Sequence, residues 1–255
     1  MQKLVMDRPT APPAWLVVAS FAPTAILLWL IGLSIIPLER EGVRLVFQAI
    51  SLAQLFIAFI LQEQFPAGDD GRNDSLATGL VLAAGVLLIA ELARFATAQL
   101  GWGRPNSIPA LLLLLAQQVV MIALAEELWF RGLWMRAMAG RPGCAIFGGA
   151  AGFGLYHLHQ GWELMLTSAA LGVLFGTARW YGAPIWALAL AHGLFNWINS
   201  NIIPGVAWRS DPLTARLLYV GLLLLGAWVL QAFARSRSKD RRLRAEDATL
   251  STSSS

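Results

Sequence analysis

Apolar residues in this chain neither alternate nor recur singly; they come in long runs separated by short polar breaks. Eight runs are long and apolar enough to read as membrane helices, near 14–37, 44–62, 75–93, 107–139, 144–159, 163–180, 183–200 and 213–234. The fourth exceeds a simple span and is expected to cross and then continue into the interface around Leu133 to Met138. The longest polar break, Gln62 to Asp74, holds Asp69, Asp70, Arg72 and Asp74. It reads as a solvated loop, because the ligand spacing of a calcium-binding EF-hand is absent. Trp102, Trp180, Tyr181 and Trp208 fall near predicted helix ends, where aromatic belts meet the membrane surface. The pattern predicts an all-α fold: a polytopic transmembrane bundle of about eight helices, with any active site inside it.

Composition agrees. Of 255 residues, 57% are hydrophobic and 13% charged, where a soluble domain carries about 25% charged residues. Mean hydropathy is +0.60. The single cysteine, Cys144, excludes an internal disulfide framework, and its Gly/Ala-rich surroundings predict a packed small residue. Lys3 and Arg8 precede the first run, but that run is too long for a signal peptide and lacks a convincing cleavage site, so it reads as a first membrane helix.

One membrane domain, 1–234, is therefore followed by a tail, 235–255, that is basic, then Ser-rich, and expected to be disordered. The net charge of +4 reflects that tail, with Arg235, Arg237, Lys239, Arg241, Arg242 and Arg244. Basic residues directly after an apolar helix read as a cytoplasmic anchor, not as a nucleic-acid arm. An even number of helices would place both termini on that side. Short loops and no targeting peptide suggest a bacterial inner membrane. The expected partners are the lipid bilayer and a membrane-embedded or membrane-proximal peptide, with no nucleic acid. Gly172 and Gly176, and the cluster Gly148, Gly149, Gly152 and Gly154, read as helix-packing positions.

Charge in a bilayer costs roughly 2.5–3.5 kcal/mol per residue on insertion scales. Glu126 and Glu127 lie deep in the fourth run, in Ala-Glu-Glu-Leu-Trp-Phe-Arg. Arg131 follows Glu127 by four residues, the spacing and order of a helical ion pair. Glu126, rotated about 100° from Glu127, is left facing another surface, free for a water or another helix, and suits a general base. The three histidines, His157, His159 and His192, all follow the glutamates. Phe153 and His157 are one turn apart, as are His192 and Asn196. Bundles build sites from such inward-facing side chains. His159 reads as a helix-end residue, Glu91 and Arg94 as a local pair at the interface, and Asn199 and Asn201 as part of a helix end. Buried acids and histidines also make proton relays, so a non-catalytic transporter subunit or scaffold is the alternative function.

Together the three segments resemble the CPBP family of intramembrane proteases, which includes the type II CAAX prenyl endopeptidases and bacteriocin-processing proteins. The pattern reads here as Glu126-Glu127-Leu-Trp-Phe-Arg131, Phe153-Gly-Leu-Tyr-His157 and His192-Gly-Leu-Phe-Asn196. The resemblance covers roughly 109–201; the first three helices carry no signature of it. It implies an endopeptidase in which Glu126 and His157 activate a water. His192 and Asn196 would donate to the oxyanion, Glu127 and Arg131 would hold the helix, and Phe153 would form a dry wall. The family has also been described as metalloproteases, and Glu126, His157 and His192 would be the ligands of a zinc site. The His-Glu-x-x-His helix is absent and Asn196 is a poor zinc ligand, so a metal-free, glutamate-type mechanism without cofactor is expected. Expected substrates are leader peptides or C-terminal anchors of exported proteins.

Overall fold

The computed structural model describes residues 11–33, 35–36, 39–65, 76–101, 107–203 and 205–253. The loop residues Asp69, Asp70, Arg72 and Asp74, and Trp102, lie outside the described residues, as does the side chain of Trp208. The described chain forms eight helices: α1 Ala14–Gly32, α2 Arg40–Gln64, α3 Leu76–Thr97, α4 Ile108–Ala137, α5 Gly149–Tyr156, α6 Trp162–Trp180, α7 Ile185–Trp197 and α8 Pro212–Ser253. The fold is the all-α bundle that the apolar runs predict.

Prolines and glycines set the breaks. Pro13 and Pro184 occupy the N-caps of α1 and α7, and Pro109 lies in the first turn of α4 behind Ser107. Asp211 caps α8, its Oδ1 accepting the Thr214 amide at 3.0 Å. Hydrogen bonding by Thr214, hydroxyl and amide, holds that exposed carboxyl below the usual carboxylate range. The reversals after α5 and α6 turn on Gly161 and Gly182, at φ +106° and +104°, a region where side chains with a Cβ are strained.

Five helices are long and apolar enough to cross a membrane: α1, Leu45–Gln64 of α2, α3, α4 and Pro212–Arg237 of α8. The eight helices expected from the apolar runs are present, and α5 and α7, of 8 and 13 residues, are extended by the π-helical turns Cys144–Gly148 and Ile198–Ile202. α6 is diluted by Glu163, Thr167, Ser168, Thr177 and Arg179.

Three expectations change. Residues 235–253, expected to be disordered, continue α8 without a break. No Gly or Pro occurs after Gly226, and Arg, Lys, Ala, Leu and Glu are good helix formers. Cys144 is exposed, not packed. Ala98–Leu100 and Gly205–Trp208 pair as a short antiparallel ribbon, with an irregularity between Gln99 and Leu100, that no alternating pattern announced.

Two apolar clusters fill the interior. One joins α3, α6, α7 and α8 through Leu82, Val86, Leu174, Leu188 and Leu223. The other joins α1, α2, α4 and α5 through Val17, Leu61, Trp129, Leu133 and Tyr156. Outward positions such as Trp15, Phe56, Leu88, Leu113 and Trp228 are exposed and apolar, as a lipid-facing surface requires. A Cβ on Gly172 would lie 2.7 Å from Ala150 Cα, so that glycine lets α6 settle against α5.

Candidate active site within the bundle

The glutamates occupy a helix of changing period. α4 is α-helical over Ile108–Ala116, Leu124–Glu127 and Trp134–Ala137, and π-helical over Gln117–Ala123 and Leu128–Leu133. Wide turns of this kind gather at functional sites. The single α-turn between them carries Glu126 and Glu127, 3% and 0% exposed.

Two uncompensated carboxylates at that depth would be expelled or neutralised; here both meet the same histidine. Arg131 Nη1 donates to Glu127 Oε1 at 3.1 Å, the ion pair the spacing predicts. His192, from α7, places Nδ1 3.0 Å from that same oxygen. Its other nitrogen, Nε2, is 3.6 Å from Glu126 Oε2. Glu126 was expected to face a different surface from Glu127. The structure differs, because an imidazole presents nitrogens on two sides and the flanking π-helical segments depart from the 3.6-residue period.

Arg131 is 2% exposed. Its guanidinium lies 4.6 Å from the Phe153 ring, 5.4 Å from Phe175 and 5.9 Å from Phe130, an aromatic cage that favours a desolvated cation. Phe175 belongs to one apolar cluster and Phe130 and Phe153 to the other, so the ion pair sits on their seam.

His157 follows α5, in the 3₁₀ turn His157–Gln160. Its Nδ1 lies 2.9 Å from the Phe153 carbonyl; a carbonyl only accepts, so Nδ1 carries the proton and Nε2 keeps its lone pair. The Phe153 ring is edge-on to both His157, at 4.6 Å, and His192, at 5.7 Å, and is the wall between them. No hydrogen bond joins His157 to either glutamate among the described residues. Asn196 is half-buried on α7, one turn beyond His192, with no hydrogen-bond partner among the described residues. Glu126 Oε2, Glu127 Oε2 and Arg131 Nη2 are buried without hydrogen bonds, so the site retains donors and acceptors for a polar guest.

His192 reaches α4 because α7 lies close against it. A Cβ on Gly193 would fall 2.5 Å from Val119 Cγ2 and 2.7 Å from Val119 Cα, a separation only glycine permits. His159 points elsewhere: Nδ1 is 2.8 Å from the Tyr156 carbonyl, Nε2 is 3.0 Å from Gln160 Nε2, and Gly32 of α1 packs on it. Glu91 and Arg94 pair at 2.6 Å, but Arg94 is buried and also donates to the Ile203 carbonyl at 2.7 Å. That pair ties α3 to the segment that follows α7.

Among the described residues no three His, Cys, Asp or Glu side chains come together in a group able to hold a metal ion. His192 Nδ1 faces Glu127 and His157 Nδ1 a backbone carbonyl, so Nε2 is the nitrogen each ring has left to offer.

Sequence reasoning missed Phe130 and Phe175 around Arg131, and Gln54 of α2, which hydrogen-bonds into the site's supports. Gln54 left one signal, a polar residue within Ser-Leu-Ala-Gln-Leu-Phe-Ile-Ala.

Residues 108–198, from the start of α4 through the end of α7, match the family model for Type II CAAX prenyl endopeptidase Rce1-like proteins. No curated protein and no solved structure matches the chain.

Proposed function

Because residues 108–198 match the family model for Type II CAAX prenyl endopeptidase Rce1-like proteins, we propose that this membrane protein hydrolyses its substrate's peptide bond with a water activated by Glu126. The observation that carries the reading is the Glu126–His192–Glu127–Arg131 chain. It leaves Glu126 Oε2, like Glu127 Oε2, buried and without a hydrogen bond among the described residues. Water bound to Glu126 Oε2 and to the bare Nε2 of His157 would give up a proton to Glu126 as its oxygen adds to the scissile carbonyl. Glu126 then returns that proton to the leaving amine as the C–N bond breaks.

The oxyanion needs donors. Glu127, ionised beside Arg131, only accepts, so His192 Nδ1 carries a proton. When both its ring nitrogens carry protons, His192 also offers Nε2–H. Asn196 Nδ2, one turn away and unpartnered, is the second donor. Phe153 keeps bulk water from the space between the histidines. No metal enters this scheme.

The substrates we propose are leader peptides or C-terminal anchors of exported proteins, processed in a bacterial inner membrane with α8's basic end in the cytoplasm. Mass spectrometry of membrane peptides from cells carrying wild-type or Glu126→Gln protein tests both parts. Truncated peptides present only with the wild type are expected and would name the substrate. Identical peptide sets, with both proteins folded, would favour a non-catalytic relay or scaffold.

A further inference from the structure

The family match begins at α4, yet two helices ahead of it support the site. α2 packs on the glutamate turn and on the turn that follows it, and α1 packs on His157–Gln160. At the centre of these contacts is Gln54, 1% exposed. Its backbone carbonyl accepts the Trp129 indole N–H at 3.0 Å. Its Nε2 donates to Thr24 Oγ1 at 2.7 Å, and its Oε1 accepts the Tyr156 hydroxyl over a long 3.4 Å. The Thr24 hydroxyl spends its proton on the Phe21 carbonyl at 2.7 Å, so toward Gln54 it accepts. That fixes the amide's orientation and leaves Oε1 for Tyr156. The Phe21 ring fills the angle, 5.4 Å from Trp129 and 5.1 Å from Tyr156.

The two residues gripped by Gln54 flank the two halves of the chemistry. Trp129 stands three residues after Glu126 on α4. Tyr156 immediately precedes His157 and meets its ring edge-on at 5.3 Å. Since no hydrogen bond joins His157 to a glutamate directly, their separation is set from outside. We propose that Gln54 is a positioning residue: by gripping Trp129 and Tyr156 it fixes the distance between the Glu126 carboxylate and the His157 imidazole. This rests on the protease reading above, but its structural half does not.

The test uses the full chain in detergent micelles. With three histidines, [15N]histidine labelling gives a spectrum in which the His157 ring nitrogens can be assigned through His157→Gln. Gln54→Leu keeps the side-chain volume and removes both amide bonds. It should shift the His157 ring resonances, leave the melting temperature near wild type, and lower kcat on a synthetic leader peptide at least tenfold with KM unchanged. Tyr156→Phe should act alike, and the double variant no more strongly. Should Gln54→Leu fail to fold, Thr24→Val, which removes only the hydroxyl that orients the amide, replaces it. Unmoved His157 resonances in a folded variant, or an unchanged kcat, would overturn the proposal. Wild-type protein that cleaves no peptide would count against the protease reading alone, since the resonance shift needs no substrate.

Discussion

One imidazole serves both members of the glutamate pair: His192 sets Nδ1 3.0 Å from Glu127 Oε1 and Nε2 3.6 Å from Glu126 Oε2. The two carboxylates are thus coupled without being equivalent. Glu127 has a second partner in Arg131; Glu126 Oε2 has no hydrogen bond among the described residues. Glu126→Gln should fold and melt like the wild type, while the rate of peptide cleavage falls by about 10²–10⁴-fold, the usual worth of a general base. Turnover and thermal melts on the same preparation check both halves.

Glu127→Ala should do the reverse in kind. It strands the Arg131 guanidinium in its cage of three phenylalanine rings, and breaking a buried pair from one side costs about 3–5 kcal/mol. Adding Arg131→Met should recover most of that stability without recovering activity. Equilibrium unfolding of the single and double variants measures the difference.

Asn196→Ala should lower kcat by about 10²–10³-fold with KM nearly unchanged, because an oxyanion donor acts on the transition state and not on bound substrate. A rise in KM at constant kcat would instead make Asn196 a substrate-binding residue.

Gly193→Ala should abolish cleavage by lifting α7 from α4, since the added methyl meets Val119 backbone atoms at 2.7 and 2.9 Å. Val119→Ala should not rescue it, as trimming the side chain leaves those backbone atoms in place. Activity of the single and double variants, with circular dichroism to confirm helix content, reads this out.

Exhaustive chelation should leave turnover intact, because no step requires a metal. Loss of activity restored by zinc, and not by other divalent ions, would reassign Glu126 and the histidines as ligands.

The helices were legible because long apolar runs need no partner to be recognised. The glutamate–arginine pair was legible for a related reason, being contained in one helix and one turn. What depended on two elements meeting was not. Nothing local says that His192 will divide its nitrogens between the glutamates; that follows from the close approach at Gly193. Gln54 stood in α2 as a lone polar residue, and only the packing of α1 and α2 against α4 and α5 reveals what it grips. The tail failed on composition: polarity argued for disorder while the residues themselves are helix formers.

The π-helical stretches on either side of the glutamate turn make α4 a shaft with two loose couplings. Each can absorb one residue more or fewer by tightening or slackening, where a plain α-helix would turn everything beyond the change by about 100°. Removing one residue from Gln117–Ala123 would therefore spare the aim of Glu126 and Glu127, while the same deletion inside Leu124–Glu127 would swing one of them out of reach of His192. Tolerance of length change along this helix should thus be lowest over four residues and higher on both sides of them.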